Sequence, residues 1–335
     1  MRKAETHAYL TSVGASQMLV QDIRAQGEHF DNEVEEEAAL ESLNAQLGDQ
    51  LNRGEVHSMS QRSVSALIDA ESSRRLQDAT EDLRELARLK CVEREGAGDW
   101  LAALPSKPLG LHLRRAEFVT AVRYRLGLPV FLQEGECPMP RCLQVNDVMG
   151  DHAISCAIGG ERIAKHNHVR DAFFAAAVEA GLGPIKEPDG LLPGSDDRPA
   201  DVLIPYWSQG KDVAVDITVV NPLQTALVVR AAREGGSAVQ HAHQAKVRKY
   251  GDRCSQEGFS FAPLAVDTFG GWHQSALETL SKLGRQLARA NGKREEEVMS
   301  HLRQRIAVLL VRDNVSMLLS RTPSFPPSEV DGDLE

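Results

Sequence analysis

Two stretches decide the fold: Ala200-Asp-Val-Leu-Ile-Pro-Tyr206 and Asp212-Val-Ala-Val-Asp-Ile-Thr-Val-Val220. Both are rich in β-branched residues and bounded by turn formers, which predicts two strands. Trp207-Ser-Gln-Gly210 between them reads as a hairpin loop. A four-residue loop pairs Tyr206 with Lys211, and that register sets Asp201 opposite Asp216 on one face. An Asp among Val213, Val215, Ile217 and Val219 is costly to bury without a partner. Two adjacent carboxylates repel, and one is driven toward protonation. A divalent cation relieves the conflict, and two Asp oxygens with a carbonyl and waters suit Mg²⁺. Such an ion can activate water and stabilise charge on a phosphate. The other reading places one Asp at a strand edge and salt-bridges the other to Arg or Lys.

Outward from the hairpin, the chain alternates helix and strand. A helix is expected over about Lys165 to Gly181, with Val169, Phe173, Ala176 and Ala180 on one side. Ile185-Lys-Glu187 reads as a short strand, and Pro188 to Pro199 as a connector. A helical stretch covers about Leu223 to Glu257, interrupted at Gly235-Gly236. Phe259 to Asp267 is a further strand, and helices follow over about Gln274 to Ala290 and Glu295 to Leu319. This order predicts an α/β domain with a small mixed sheet flanked by helices.

Two basic segments flank the hairpin. In His241-Ala-His-Gln-Ala-Lys246-Val-Arg-Lys249-Tyr250, a helix sets Lys246 and Lys249 one turn apart and Tyr250 beside Lys246. A cation there could orient water or stabilise a phosphate, or the helix is a solvated basic face. Arg230, Arg233, Arg248 and Arg253 add local positive charge. Lys165-His-Asn-His168 is expected at a helix start, where Asn167 caps and free N–H groups favour phosphate; His166 or His168 is also a spare metal ligand.

Upstream, Cys137-x4-Cys142-x9-His152-x3-Cys156 offers three thiolates and one imidazole, a donor set that suits zinc. Buried thiols beside an unrelated His are the alternative. Residues 1–104 read as a helical connector, partly ordered, with Leu40, Leu43, Leu47 and Leu51 on one face. Residues 105–136 read as a linker carrying a basic helix, striped by Phe118, Val122 and Leu126. Residues 137–160 form the metal-binding segment, 161–320 the α/β domain, and 321–335 a disordered tail. The 335 residues suggest about two domains. A net charge of −10 excludes a uniformly basic coat but not a local basic site. No apolar run approaches a membrane span, and Met1-Arg-Lys-Ala-Glu-Thr-His leads into no signal-like stretch. Five cysteines without a secretion signal disfavour a disulfide framework.

Cys…Cys…His…Cys, a basic His-Asn, an Asp strand, a second Asp strand and a helix with Lys-x-x-Lys-Tyr come in a telling order. Together they resemble the restriction-like endonuclease at the C-terminal end of site-specific non-LTR retrotransposon reverse transcriptase proteins, of the PD-(D/E)XK type. The resemblance covers roughly residues 131–255. It implies a restriction-endonuclease-like fold, a structural Zn²⁺ on Cys137, Cys142, His152 and Cys156, and a catalytic Mg²⁺ on Asp201 and Asp216. It implies catalytic roles for Lys246 or Lys249, which replace the family's usual Lys after the second acid, where Thr218 stands. Glu187 matches an upstream acid, and Ala200 intervenes where the family has Pro before the first Asp. Lys165, His166, Asn167, Arg248 and Tyr250 are expected to contact DNA, or RNA, and the resemblance implies a nuclear protein. No aromatic-x-Asp-Asp signature of a reverse transcriptase is present. The expected activity is therefore that of a hydrolase cleaving DNA phosphodiester bonds, in a chain lacking the polymerase core. The alternative is a catalytically inactive, nucleic-acid-binding relic or domesticated fragment.

Overall fold

The computed structural model describes residues 33–48 and 51–322. The chain divides into two compact units between Glu81 and Asp82. The first holds three helices, α1 (Glu33–Leu47), α2 (Arg53–Ser58) and α3 (Gln61–Asp78). Ala39, Leu43, Val56 and Val64 form its small core, with Leu40, Leu47 and Leu51 against it. The expected leucine face is present, but the helix ends at Leu47. Asn44 stops it by bonding both the N–H and the carbonyl of Leu51 through its side chain.

The second unit begins earlier than the expected boundary at residue 104. Its first helix, α4 (Leu83–Val92), is capped by Asp82. It is separated from α3 by a break at Thr80–Glu81. Arg94 then ties this segment to the sheet: its guanidinium bonds the buried Asp267 at 2.9 Å and the Trp272 carbonyl. Residues 105–136 are likewise part of this unit rather than a separate linker. Their helix α5 (Arg115–Arg125) buries Ala121 and Tyr124. The expected stripe is displaced, since Phe118 and Leu126 are exposed. Arg123 and Arg125 spend their charge on the carbonyls of Pro129, Ala97 and Val92. After the two-residue strands β1 (Gly135–Glu136) and β2 (Val145–Asn146) come the short helix α6 (Asp151–Ser155) and the long α7 (Glu161–Glu179).

A four-stranded mixed sheet forms the centre, in the order β3 (Ile185–Lys186), β4 (Val202–Ser208), β5 (Lys211–Val220), β6 (Ser260–Asp267). The first two pairings are antiparallel; β5 and β6 are parallel. A parallel pair needs a long crossover. It is supplied by α8 (Val228–Arg233), α9 (Ser237–Lys246), a π-helical turn (Val247–Gly251) and α10 (Asp252–Gln256). Helices α11 (Gln274–Asn291) and α12 (Glu295–Leu319) close the unit.

Alternation along β5 sorts the two faces. Val213, Val215 and Ile217 join Val169 and Phe173 of α7 and Leu280 and Leu283 of α11 in the main core. Ala214 faces the other way, against Leu203, Tyr250 and Cys254, and Asp216 shares that side by the same alternation. Among the described residues no helix is long and apolar enough to cross a membrane. The expected partial order of the N-terminal arm before residue 33, and the expected tail beyond Thr322, lie outside the described residues. Arg321 itself is no tail residue: its side chain is fully buried.

Candidate functional site

The hairpin brings the two acids together by a route different from the expected one. Ser208 pairs with Lys211, so the turn is the two-residue Gln209-Gly210, both at positive φ (51° and 75°). That is the geometry whose twist matches a hairpin. Two residues would have been lost from the register, but a bulge at Tyr206 (φ 51°) restores them. The Asp212 carboxylate pins the bulge by accepting the Tyr206 N–H at 2.9 Å. Val202 then pairs with Val215, and the Asp201 N–H donates to the Val215 carbonyl. The next row of this register sets Asp201 against Asp216, as the sequence predicts.

Asp201 is held from two sides. Its Oδ2 accepts the Ile217 N–H at 2.6 Å, and its Oδ1 lies 3.0 Å from His166 Nε2. Asp216 is 5% exposed, and Lys246 Nζ sits 2.9 Å from its carboxylate. Burial raises the Asp216 pKa to about 6; Lys246 opposes the rise and the Asp201 charge adds to it. The bond to Asp201 raises the His166 pKa against the cost of its burial. Two acids, one lysine and one imidazole thus converge: Asp201 just before β4, Asp216 inside β5, His166 in the second turn of α7 and Lys246 at the end of α9.

Other expected members are elsewhere. Lys249 points away from the acid pair: its ammonium donates to the Tyr250 hydroxyl at 2.7 Å and pairs with Asp197 at 3.3 Å. The π-helical turn is the reason, because it opens directly after Lys246 and changes the angular spacing that one α-helix would keep. Tyr250 is buried, edge-on to Phe261, and presents no face to a nucleic acid. Arg248 is exposed. Glu187 continues the same row of the sheet, its N–H donating to the Asp201 carbonyl, but its carboxylate is engaged by the buried Arg170. It joins neither Asp. The helix carrying Lys165 starts at Glu161, four residues early, with Gly160 as its cap. Asn167 is therefore in its second turn and caps nothing, and no free helix N–H lies at 165–168. His168 bonds Asp313. Lys165 is buried, with Nζ 2.7 Å from Asn314 Oδ1.

An open cleft of about 600 Å³ adjoins the acid pair. Ser155, Arg162, Lys165, His166, Asn221 and Lys246 line it, with the end of β5 as one wall. A polar chain stiffens that wall: Asn221 bonds Ser155 at 2.7 Å and Thr268 at 3.3 Å. Asn314 bonds the Thr268 carbonyl at 2.6 Å. Neither Asn221 nor Asn314 carries a sequence signal that would single it out.

The cysteine segment folds as a β1–β2 hairpin followed by α6. The ligand atoms of Cys137, Cys142, His152 and Cys156 all lie within 4.8 Å of one another, a Cys₃His cluster that could hold a metal such as zinc. Cys137 and Cys156 sulfurs are 4.0 Å apart, Cys142 and Cys156 3.8 Å, and Cys142 Sγ to His152 Nε2 3.4 Å. Tetrahedral zinc with bonds of about 2.3 Å to sulfur has S–S edges of roughly 3.8 Å, so the four atoms already mark such a site. Asp147 accepts the His152 N–H at 2.8 Å and orients that segment. The buried Arg321 is the missed member. Its Nη2 donates to the Ile158 carbonyl. Burial opposes ionisation of Cys156, yet the hydrogen bond between its own sulfur and the Ile158 backbone, with the Arg321 guanidinium, holds that thiol below its ordinary range. Comparison with protein-family models and with curated proteins gives no match for this chain.

Proposed function

We propose that the second unit is a Mg²⁺-dependent nuclease domain that hydrolyses DNA phosphodiester bonds, of restriction-endonuclease-like descent. The observation that carries this reading is the Asp201–Asp216 row with Lys246 on Asp216. A buried carboxylate beside a second one, at a pKa near 6, is a site whose charge a hard dication would relieve. Asp201 and Asp216 would hold the ion, which supplies Lewis acidity toward a phosphoryl oxygen and an acidified water. Lys246 keeps Asp216 oriented and puts a positive charge at the cleft wall. Arg162 and His166 add cationic contacts for backbone phosphates, which position a strand without reading its sequence. The Cys₃His cluster, loaded with zinc, would staple the segment that forms the far cleft wall through Ser155 and Ile154. The resemblance implies a nuclear setting for this activity.

Supercoiled plasmid incubated with the purified chain and MgCl₂ tests the reading. Nicking is expected for the parent and for Lys249→Ala, with a loss of at least about 100-fold for Asp216→Asn and Lys246→Ala, as when an electrostatic contact to the transition state is removed. Metal-independent nicking, or equal loss in Lys249→Ala and Lys246→Ala, refutes it. Binding without cleavage in the parent and in all variants would instead mark a nucleic-acid-binding relic.

A further inference from the structure

The nuclease reading makes no use of Lys165, although it is the most unusual charged group along the cleft. A lysine is almost never fully buried unless paired, yet Lys165 is 3% exposed. Its one hydrogen bond goes to a neutral amide oxygen, Asn314 Oδ1 at 2.7 Å. Among the described residues it has no ion-pair partner. The neighbouring acid, Asp313, is occupied by His168 at 2.9 Å. Asn314 is itself fixed by the Thr268 carbonyl, so the amine is tethered in one place. Lys165 also lines the 600 Å³ cleft, together with Arg162 and Lys246.

A tethered, unpaired amine in the wall of a cationic cleft is the arrangement of a lysine nucleophile toward carbonyl groups. We propose that Lys165 forms an imine with the aldehyde of an abasic deoxyribose in a DNA strand bound in this cleft, and so cuts such strands without metal. The inference rests on the reading that the cleft takes a DNA backbone. Arg162 and His166 supply the phosphate contacts, and an abasic sugar carries no base to exclude it from the wall.

The step balances. The neutral amine adds to the C1′ carbonyl of the ring-opened sugar, and the carbonyl oxygen leaves as water with the two amine protons. The C=N bond draws electrons from C2′. The C2′ proton passes to water, and the 3′ phosphate departs with the electron pair of the C3′–O bond. Hydrolysis of the imine returns the amine. Burial, opposed by the Asp313 charge and aided by those of Arg162 and Arg321, lowers the Lys165 pKa to about 7, so a large neutral fraction is present at physiological pH.

The test is reductive trapping. The full chain is mixed with a duplex oligonucleotide bearing one abasic site, in EDTA, and sodium cyanoborohydride reduces any imine to a stable secondary amine. A covalent adduct is expected, and its tryptic peptide maps to Lys165. Lys165→Gln keeps a polar group for Asn314 and should lower the adduct at least about tenfold; Lys249→Ala, whose ammonium is turned to Tyr250 and Asp197, should leave it unchanged. An adduct mapping to other lysines, no adduct above that of an unrelated DNA-binding protein, or equal trapping by Lys165→Gln overturns the proposal. Peptide mapping on the parent decides the matter even if Lys165→Gln does not fold. Because trapping runs in EDTA on damaged DNA, and nicking runs in Mg²⁺ on intact DNA, failure of one is distinct from failure of the other.

Discussion

Replacing Asp216 by Asn should make the protein more stable while removing the proposed cleavage. The folded pKa of about 6 lies above the ordinary 3.8. The native state then holds this proton more tightly than the unfolded chain does. Stability from this group is therefore full below about pH 4, falls as pH rises toward 6, and is lacking above it. A rise of about two pKa units corresponds to a ceiling of about 3 kcal/mol. Part of that is offset, because Lys246 loses its partner; its side chain is 32% exposed and stays hydrated, so the loss is about 1 kcal/mol or less. A net gain of about 1–2 kcal/mol at pH 7.5 raises Tm by roughly 2–8 °C for a unit of this size. Thermal unfolding in EDTA, parent against variant, at pH 7.5 and pH 4.5, reads it. The gain should shrink strongly at the lower pH, where the parent Asp216 is already protonated. A variant less stable than the parent at pH 7.5, or a gain equal at both pH values, would refute the buried-charge argument. Cleavage lost with stability gained is the signature of a site that trades stability for function.

Three further outcomes are expected. The purified protein should carry one zinc per chain by metal analysis; Cys142→Ser should lose it, and chelation should lower the Tm of the parent but not of the variant. Arg94→Ala leaves the Asp267 carboxylate buried with only the N–H groups of Phe269 and Gly271, and should cost about 3–5 kcal/mol in denaturant unfolding; a loss under about 1 kcal/mol contradicts that account. Gln209→Asn suits the left-handed first turn position better, so a gain of a few tenths of a kcal/mol is expected from the same measurement, and any loss counts against the turn geometry.

Period and composition made much of this legible. Apolar alternation marked β5, the 3.6-residue stripe of Val169, Phe173 and Ala176 marked α7, and the donor set of Cys137, Cys142, His152 and Cys156 marked the Cys₃His cluster. Helices from Gln274 and from Glu295 stand within a residue of where they were expected. The Asp201–Asp216 row was legible too, because a side chain's face depends only on parity of register. The exact pairing survived a wrong loop length as well, since the bulge at Tyr206 returned the two residues that the tighter turn had taken.

What the linear pattern left open were the contacts made between segments far apart in the chain. Lys246 and Lys249 look equivalent in sequence; a π-helical turn sends one to Asp216 and the other to Asp197. Arg321 looks like the start of a tail but is buried beside Cys156. Glu187 looks like a third acid, and Arg170 takes it. Lys165 looks like a surface cation at a helix start, and Asn314, 149 positions away, holds it inside. Sequence alone settled periodicities and donor sets, because those depend on near neighbours. Which charge meets which partner, and how deeply, was decided only when the helices closed over the sheet and removed the water between them.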